Sequence, residues 1–170
     1  MVILCAKSFA NMGVKKGECV TLCMPNVPQT VYSVYALNML GARVSVIHPL
    51  SSEEEVIYYL KETKSDFVVT LDLFYEKLRN VKFRYNINKM IVSSISDEFS
   101  LLMNIGYKLT KAKKVPKPEF NDSVISWNSF IDIEAFPMDE IDEICYGMKP
   151  SELIEKMTSD FDSCDEYFYF

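Results

Sequence analysis

The sequence predicts an α/β fold: a partial, doubly wound and mostly parallel sheet of about four strand–helix units, followed by an irregular acidic tail. Three observations carry that reading. Short runs of strand formers alternate with segments of about ten residues whose apolar positions recur at helical spacing. The strand runs lack a polar–apolar alternation, which is the pattern of strands covered on both faces. The charge changes character near residue 134, where an ordinary globular composition gives way to a strongly acidic one.

The first element is a helix. Val2, Ile3, Ala6, Phe9 and Ala10 share a face, and Gly13 supplies the left-handed residue that commonly closes a helix. It begins at Met1 with no N-cap and no preceding strand, so the natural start of the fold is expected upstream. After the turn GVKKGE, CVTLCM reads as a strand buried on both faces. Pro25 and Pro28 end it and preset the first turn of a second helix, where a missing N–H costs nothing. Val31, Val34, Tyr35, Leu37 and Leu40 form that helix's apolar stripe, and Gly41 closes it.

The unit then repeats. Val44 to Ile47 reads as a strand stopped at Pro49, and Ser52 with Glu55 forms a capping box opening EEEVIYYLKET. Phe67 to Thr70 is a third strand, with Asp72 placed to cap the helix LFYEKL, and Lys89 to Ser93 is a fourth. From Ser96 to Lys114 the chain is less regular and carries Lys108, Lys111, Lys113 and Lys114. Pro116 and Pro118 lead into VISWNSFID, a short strand-like piece holding the only tryptophan, Trp127. The organisation expected is a subdomain over 1–133 and an acidic tail over 134–170, partly helical or disordered, with one helix at PSELIEKM and an aromatic end EYFYF.

The 170 residues suffice for one domain with a core or for a piece of a larger one. The net charge of −6 is uneven: eleven acidic residues against two lysines from Glu134 onward give −9, leaving +3 before it. Neither part carries the dense basic footprint of a nucleic-acid binder. No stretch reaches the roughly 18 apolar residues of a membrane span, and VILCA is short for a signal-peptide core and lacks a basic flank. The cytoplasm is the compartment expected. Five cysteines, without a C-x-x-C and with His48 as the single histidine, suggest neither a disulfide framework nor a zinc site, and are expected to be reduced and mostly buried.

No catalytic, cofactor-binding or metal-ligating residue is predicted. The five glycines never cluster, so no loop presents successive N–H groups to a phosphate. His48 follows a strand, where α/β proteins often place functional groups, yet it has no evident nucleophile or ligand partners and reads as a turn residue before Pro49. Asp72 shares its position with a phospho-accepting receiver aspartate, but a receiver wants acids after the first strand, where Met24 and Pro25 stand; capping is the role expected. The lysine cluster could meet phosphates or an anionic membrane surface, or simply be solvated charge. Aromatic residues at helical spacing, Tyr32, Tyr35, Tyr58, Tyr59 and Phe74, read as core, and lone cysteines without a base are poor nucleophiles.

The stretch from GVKKGECVTLCMPNVPQT through LGARVSVIHPLSSEEEVIYYLKETKSDFVVT resembles the amino-terminal part of the adenylate-forming acyl-CoA synthetases, the AMP-binding superfamily. A Gly-Val-x-x-Gly-Glu turn, a strand ending in Pro-Asn, a helix ending at Leu-Gly-Ala and a His-Pro-Leu turn before an acidic helix appear in series. The likeness is strongest from Ala6 to Leu78 and extends through Ile131, where VISWNSFI resembles a segment that precedes the catalytic core; fatty-acid–CoA ligases are the nearest subgroup. The resemblance implies that complete relatives use ATP and magnesium to activate a fatty or other carboxylic acid as an acyl-adenylate and pass it to coenzyme A. It also implies a Ser/Thr/Gly-rich loop ending in Gly-Lys, an aromatic-x-Thr-Glu segment, a ribose-binding Asp and a carboxy-terminal lysine, none of which matches a residue here. The chain thus reads as truncated before its phosphate-binding loop, without cofactor of its own and inactive alone.

Within that resemblance Pro25, Asn26, Pro28, His48 and Pro49 are structural junctions. Asn26 is expected to cap or turn the backbone through its side chain, with ligand contact as the alternative. Two other classes stay open: a non-catalytic α/β interaction module presenting the acidic tail, and a small-molecule binder using the strand ends near Asn26, His48 and Asp72. An incomplete sheet is also expected to self-associate through its unsatisfied edge.

Overall fold

In the computed structural model, residues 1–94 and 118–132 are described. They form one five-stranded sheet, β1 (Cys19–Cys23), β2 (Arg43–Val46), β3 (Phe67–Leu71), β4 (Lys89–Ser93) and β5 (Val124–Ser126), in the order β2-β1-β3-β4-β5. All four pairings are parallel, with Val20 opposite Val44 and Phe67, Val69 opposite Ile91, and Val92 opposite Ser126. Helices α1 (Val2–Asn11), α2 (Pro28–Met39), α3 (Glu53–Thr63), α4 (Tyr75–Arg84) and α5 (Trp127–Ile131) cover both faces.

The alternation hidden in the apolar strands becomes visible as two cores. Val20, Leu22, Phe67, Val69, Leu71 and Ile91 point to one side, where Phe9 of α1, Ala36 and Leu37 of α2, and Trp127 and Phe130 of α5 meet them. Their sequence neighbours Cys23, Val68, Met90 and Val92 point to the other, against Val56 and Leu60 of α3 and Leu78 and Val81 of α4. Each fully buried residue of this size contributes roughly 1.5–3 kcal/mol, so both layers must form for the sheet to be stable. Phe9 and Phe130 meet edge to face at 4.8 Å, joining α1 to α5.

Local chemistry sets the ends. Gly13 and Gly41 take positive φ values of 91° and 64° after α1 and α2, as expected of helix-closing glycines. Lys64 does the same work after α3 at φ 53° without being glycine. The Ser52 hydroxyl accepts from the Glu55 N–H at 3.3 Å while the Glu55 carboxylate accepts from the Ser52 N–H at 2.8 Å, the capping box expected.

Three expectations need correction. Asp72 does not cap the long helix: it opens a 3-10 turn (Asp72–Phe74), its Oδ1 accepting from the Leu73 N–H at 2.8 Å, and α4 starts only at Tyr75 with no side-chain cap. The strand-like VISWNSFID is half helix: β5 ends at Ser126, whose hydroxyl accepts from the Ser129 N–H at 3.1 Å and turns the chain into α5. Tyr58 and Tyr59 of α3, read as core, are 59% and 44% exposed. The lysine cluster at 108–114, the acidic tail and PSELIEKM lie outside the described residues.

Candidate functional site

The strand order places a topological switch between β1 and β3. After β1 the chain leaves through α2 on one face, and after β3 it leaves through the 3-10 turn and α4 on the other. Helices that diverge from adjacent strands open a crevice at the carboxyl ends, the place where doubly wound folds hold ligands. Met24–Val27, Ile47–Leu50, Asp72 and Ser94 follow the ends of β1, β2, β3 and β4.

At the β1 end, Pro25 is half-buried, Asn26 is exposed and Pro28 is the first residue of α2. Val27, extended at φ −121° and ψ 163° as a residue before proline must be, precedes the helix. The bonds that close this corner come from Thr30, which is 6% exposed. Its hydroxyl donates to the Pro25 carbonyl at 2.7 Å and accepts from the Val27 N–H at 3.4 Å. The Asn26 side chain makes no hydrogen bond among the described residues, so the role expected of it falls to Thr30. A donor three positions inside the helix replaces an acceptor before it, because Val27 at the N-cap has no polar atom to offer.

At the β2 end, His48 is exposed and its Nδ1 accepts from the Leu50 N–H at 3.2 Å, while its carbonyl accepts from the Ser51 N–H at 3.0 Å. The ring is thus turned back on its own loop. Pro49 is buried, and its carbonyl receives the Lys77 ammonium, which also donates to the Ser51 carbonyl at 2.8 Å. Lys77 therefore ties α4 to the β2–α3 loop. Lys77 was missed by sequence reasoning, because nothing in the pattern of α4 separates it from a solvated lysine.

Thr70 crosses the switch itself, its hydroxyl donating to the Cys23 carbonyl at 2.9 Å. Gln29, also missed, is 1% exposed and reaches from the first turn of α2 to the Ser94 carbonyl at 3.4 Å. Burial pushes the Cys23 thiol up, against the opposing pull of Lys77, and pushes Cys19 up against Arg43 and a hydrogen bond with Thr63. Both stay protonated at neutral pH and are inert as nucleophiles.

The described residues at the crevice do not fit a triphosphate or its magnesium. Among the described residues no three His, Cys, Asp or Glu side chains cluster as a metal set. Of the cations, Lys77 touches the crevice loops, and two backbone carbonyls engage its ammonium. The two described clefts lie elsewhere: about 490 Å³ at the amino ends of the strands, lined by Gly17, Cys19, Arg43 and Asp66, and about 310 Å³ between α4 and the approach to β5. Neither is at the switch, and position in the fold is the stronger guide.

Comparison with known proteins converges on one family. A family profile described as AMP-binding enzyme matches residues 2–138. The long-chain-fatty-acid–CoA ligase of Bacillus subtilis (strain 168) is 34% identical over 103 residues, covering 61% of this chain and 18% of that protein. The acetyl-coenzyme A synthetase of Bartonella quintana is 34% identical over 86 residues, covering 51% of this chain and 13% of that protein. Among solved structures, the acetoacetyl-CoA synthetase from Streptomyces lividans superposes with a TM-score of 0.60 at 16% identity, over 80% of this chain and 20% of that one. An anthranilate CoA ligase in complex with anthranoyl-AMP gives 0.58 at 17% identity, over 76% of this chain and 21% of that one. At such identities the superpositions speak to the fold. The chain spans about a fifth or less of the length of these proteins.

Proposed function

The chain belongs to the AMP-binding enzyme family, and from that premise we propose that it is the scaffold-forming amino-terminal part of an acyl-CoA synthetase, inactive alone. The reaction class is the ATP-dependent activation of a fatty or other carboxylic acid to an acyl-adenylate, followed by thioester formation with coenzyme A. One observation carries the reading: the match extends over most of this chain but under a fifth of the Bacillus subtilis ligase.

A carboxylate attacking an α-phosphorus needs negative charge on the triphosphate neutralised by preorganised donors and cations. The crevice between β1 and β3 is closed instead by Thr30, Thr70 and Lys77, all bonded to backbone. In this reading Pro25, Asn26, Pro28, His48 and Pro49 shape two loops that support the site, while ATP, magnesium, acid and coenzyme A are held by residues beyond this stretch. The family match favours this over a non-catalytic interaction or small-molecule-binding module. The buried free thiols of Cys19 and Cys23 support a reducing compartment such as the cytoplasm. Among the described residues no helix is long and apolar enough to cross a membrane.

ATP–pyrophosphate exchange with a panel of short to long carboxylic acids tests the activity. The purified 170-residue chain is expected to give no acid-dependent exchange, and robust turnover would overturn the proposal.

A further inference from the structure

Buried polar groups are nearly always hydrogen-bonded, and each one that is not asks for a physical account. Five buried side-chain atoms have no partner among the described residues: Thr21 Oγ1, Gln29 Oε1, Ser33 Oγ, Arg79 Nε and Trp127 Nε1. Three of them fall on one side of the sheet and at one end of it. Gln29 and Ser33 stand four residues apart in α2, which stacks them on one face of the helix. Gln29 reaches the Ser94 carbonyl just past β4. On the neighbouring strand Ser126 is paired with Val92, so Trp127 begins α5 at the level of Ser93, one residue from that carbonyl. The indole belongs to the same core layer as Ala36 and Leu37 of α2. Exposure of Gln29, Ser33 and Trp127 is 1%, 0% and 1%.

The geometry points to a hydrated polar joint: Gln29 Oε1, Ser33 Oγ and Trp127 Nε1 converge on ordered water held between α2, α5 and the end of β4. The chemistry is complementary. Water donates to the Gln29 oxygen, accepts from the indole N–H and does either with the serine hydroxyl, giving the two to four partners a buried water requires. The set carries no charge, so it suits a neutral molecule and not a phosphate or carboxylate. Thr21 shares the face of Cys23 and so belongs to the opposite layer, and Arg79 lies on α4, also in that layer.

Such a joint links three segments: the first turn of α2, the exit of β4, already reached by Gln29 Nε2, and the start of α5. Gln29 is then a positioning residue, holding the β4 exit to α2 through Nε2 and the start of α5 through its oxygen and water. The joint sits at the carboxyl end of the sheet, where the geometry of the exits determines what the rest of a complete domain meets. This inference concerns the chain's own packing and stands whether or not the ligase assignment does.

Trp127 is the single tryptophan of the sequence, so its indole N–H gives one unambiguous NMR resonance in the full-length chain. A water–indole cross-peak from a long-lived water is expected for the unmodified protein. Ser33→Ala and Gln29→Leu should each shift the indole resonance, whereas Ser8→Ala, which removes a buried hydroxyl bonded to the Leu4 carbonyl in α1, should leave it in place. The joint is refuted by an indole resonance without any water contact, or by one that responds to Gln29→Leu no more than to Ser8→Ala.

Discussion

Replacing Thr30 by valine keeps the shape of the side chain and removes only its hydroxyl, which makes it a direct probe of how the β1–α2 corner is closed. The hydroxyl donates to the Pro25 carbonyl at 2.7 Å and accepts from the Val27 N–H at 3.4 Å, and it lies 6% exposed. The long bond contributes little. The short one counts in two ways: a hydrogen bond is lost, and a part-buried carbonyl keeps no partner, together about 2 kcal/mol. With a urea m-value of about 2 kcal/mol/M, that is a fall of about 1 M in the unfolding midpoint at unchanged slope. Trp127, buried beneath the same face of the sheet, reports the transition by its fluorescence. Asn26→Ala is the matched control, because Asn26 is exposed and unbonded among the described residues, and should move the midpoint by no more than about 0.25 M, the equivalent of 0.5 kcal/mol. If Asn26→Ala costs as much as Thr30→Val, the asparagine and not the threonine closes the corner, and the reasoning fails.

Three further outcomes are expected. Lys64→Gly should stabilise the chain by about 1 kcal/mol, read as a raised urea midpoint, because a left-handed residue with a side chain at φ 53° becomes one for which that conformation is free. Burial raises the Cys19 and Cys23 thiols above their ordinary value near 9.0, so on alkalinisation the unfolded chain gives up its thiol protons first; stability should hold below that pH and decline as pH rises through the thiol range, less so in Cys23→Ala compared with its own neutral value. The apolar groups at Val46 and Leu50, 63% and 76% exposed at the β2 edge and its following loop, should make the chain associate, giving a light-scattering mass that rises with concentration and falls back in Leu50→Ser.

Most of the architecture was legible because it rests on local rules. The lack of alternation in CVTLCM and FVVT anticipated burial on both faces, and the two cores divide these strands residue by residue. Ser52 with Glu55 announced a cap because both partners of that cap lie within one turn. What escaped was non-local. The bond from Gln29 to Ser94 spans 65 residues, and that from Lys77 to Ser51 spans 26; neither end carries a motif. A glutamine directly after the first proline of a helix, on the side that Ser33, Ala36 and Leu37 bury, was the available signal: polarity on an apolar stripe. The start of α5 was misread because WNSFI contains strand formers, and the cap at Ser126 with a Ser129 N–H decided against their propensity.

The same locality explains why a fold of this kind can be recognisable before any functional group is found. A doubly wound sheet makes its crevice from strand order alone, since the switch between β1 and β3 needs only that α2 and α4 leave on opposite faces. Nothing in that requirement places a charge. Here three polar side chains at the crevice are turned inward to backbone carbonyls: Thr30 to Pro25, Thr70 to Cys23, Lys77 to Pro49 and Ser51. Each such bond stiffens a loop and, by the same act, withdraws a donor from any ligand. Freeing Lys77 from its two carbonyls would add a cation to the crevice, but the β2–α3 loop that the ammonium holds would lose its anchor, so rigidity and phosphate affinity cannot both be drawn from this residue.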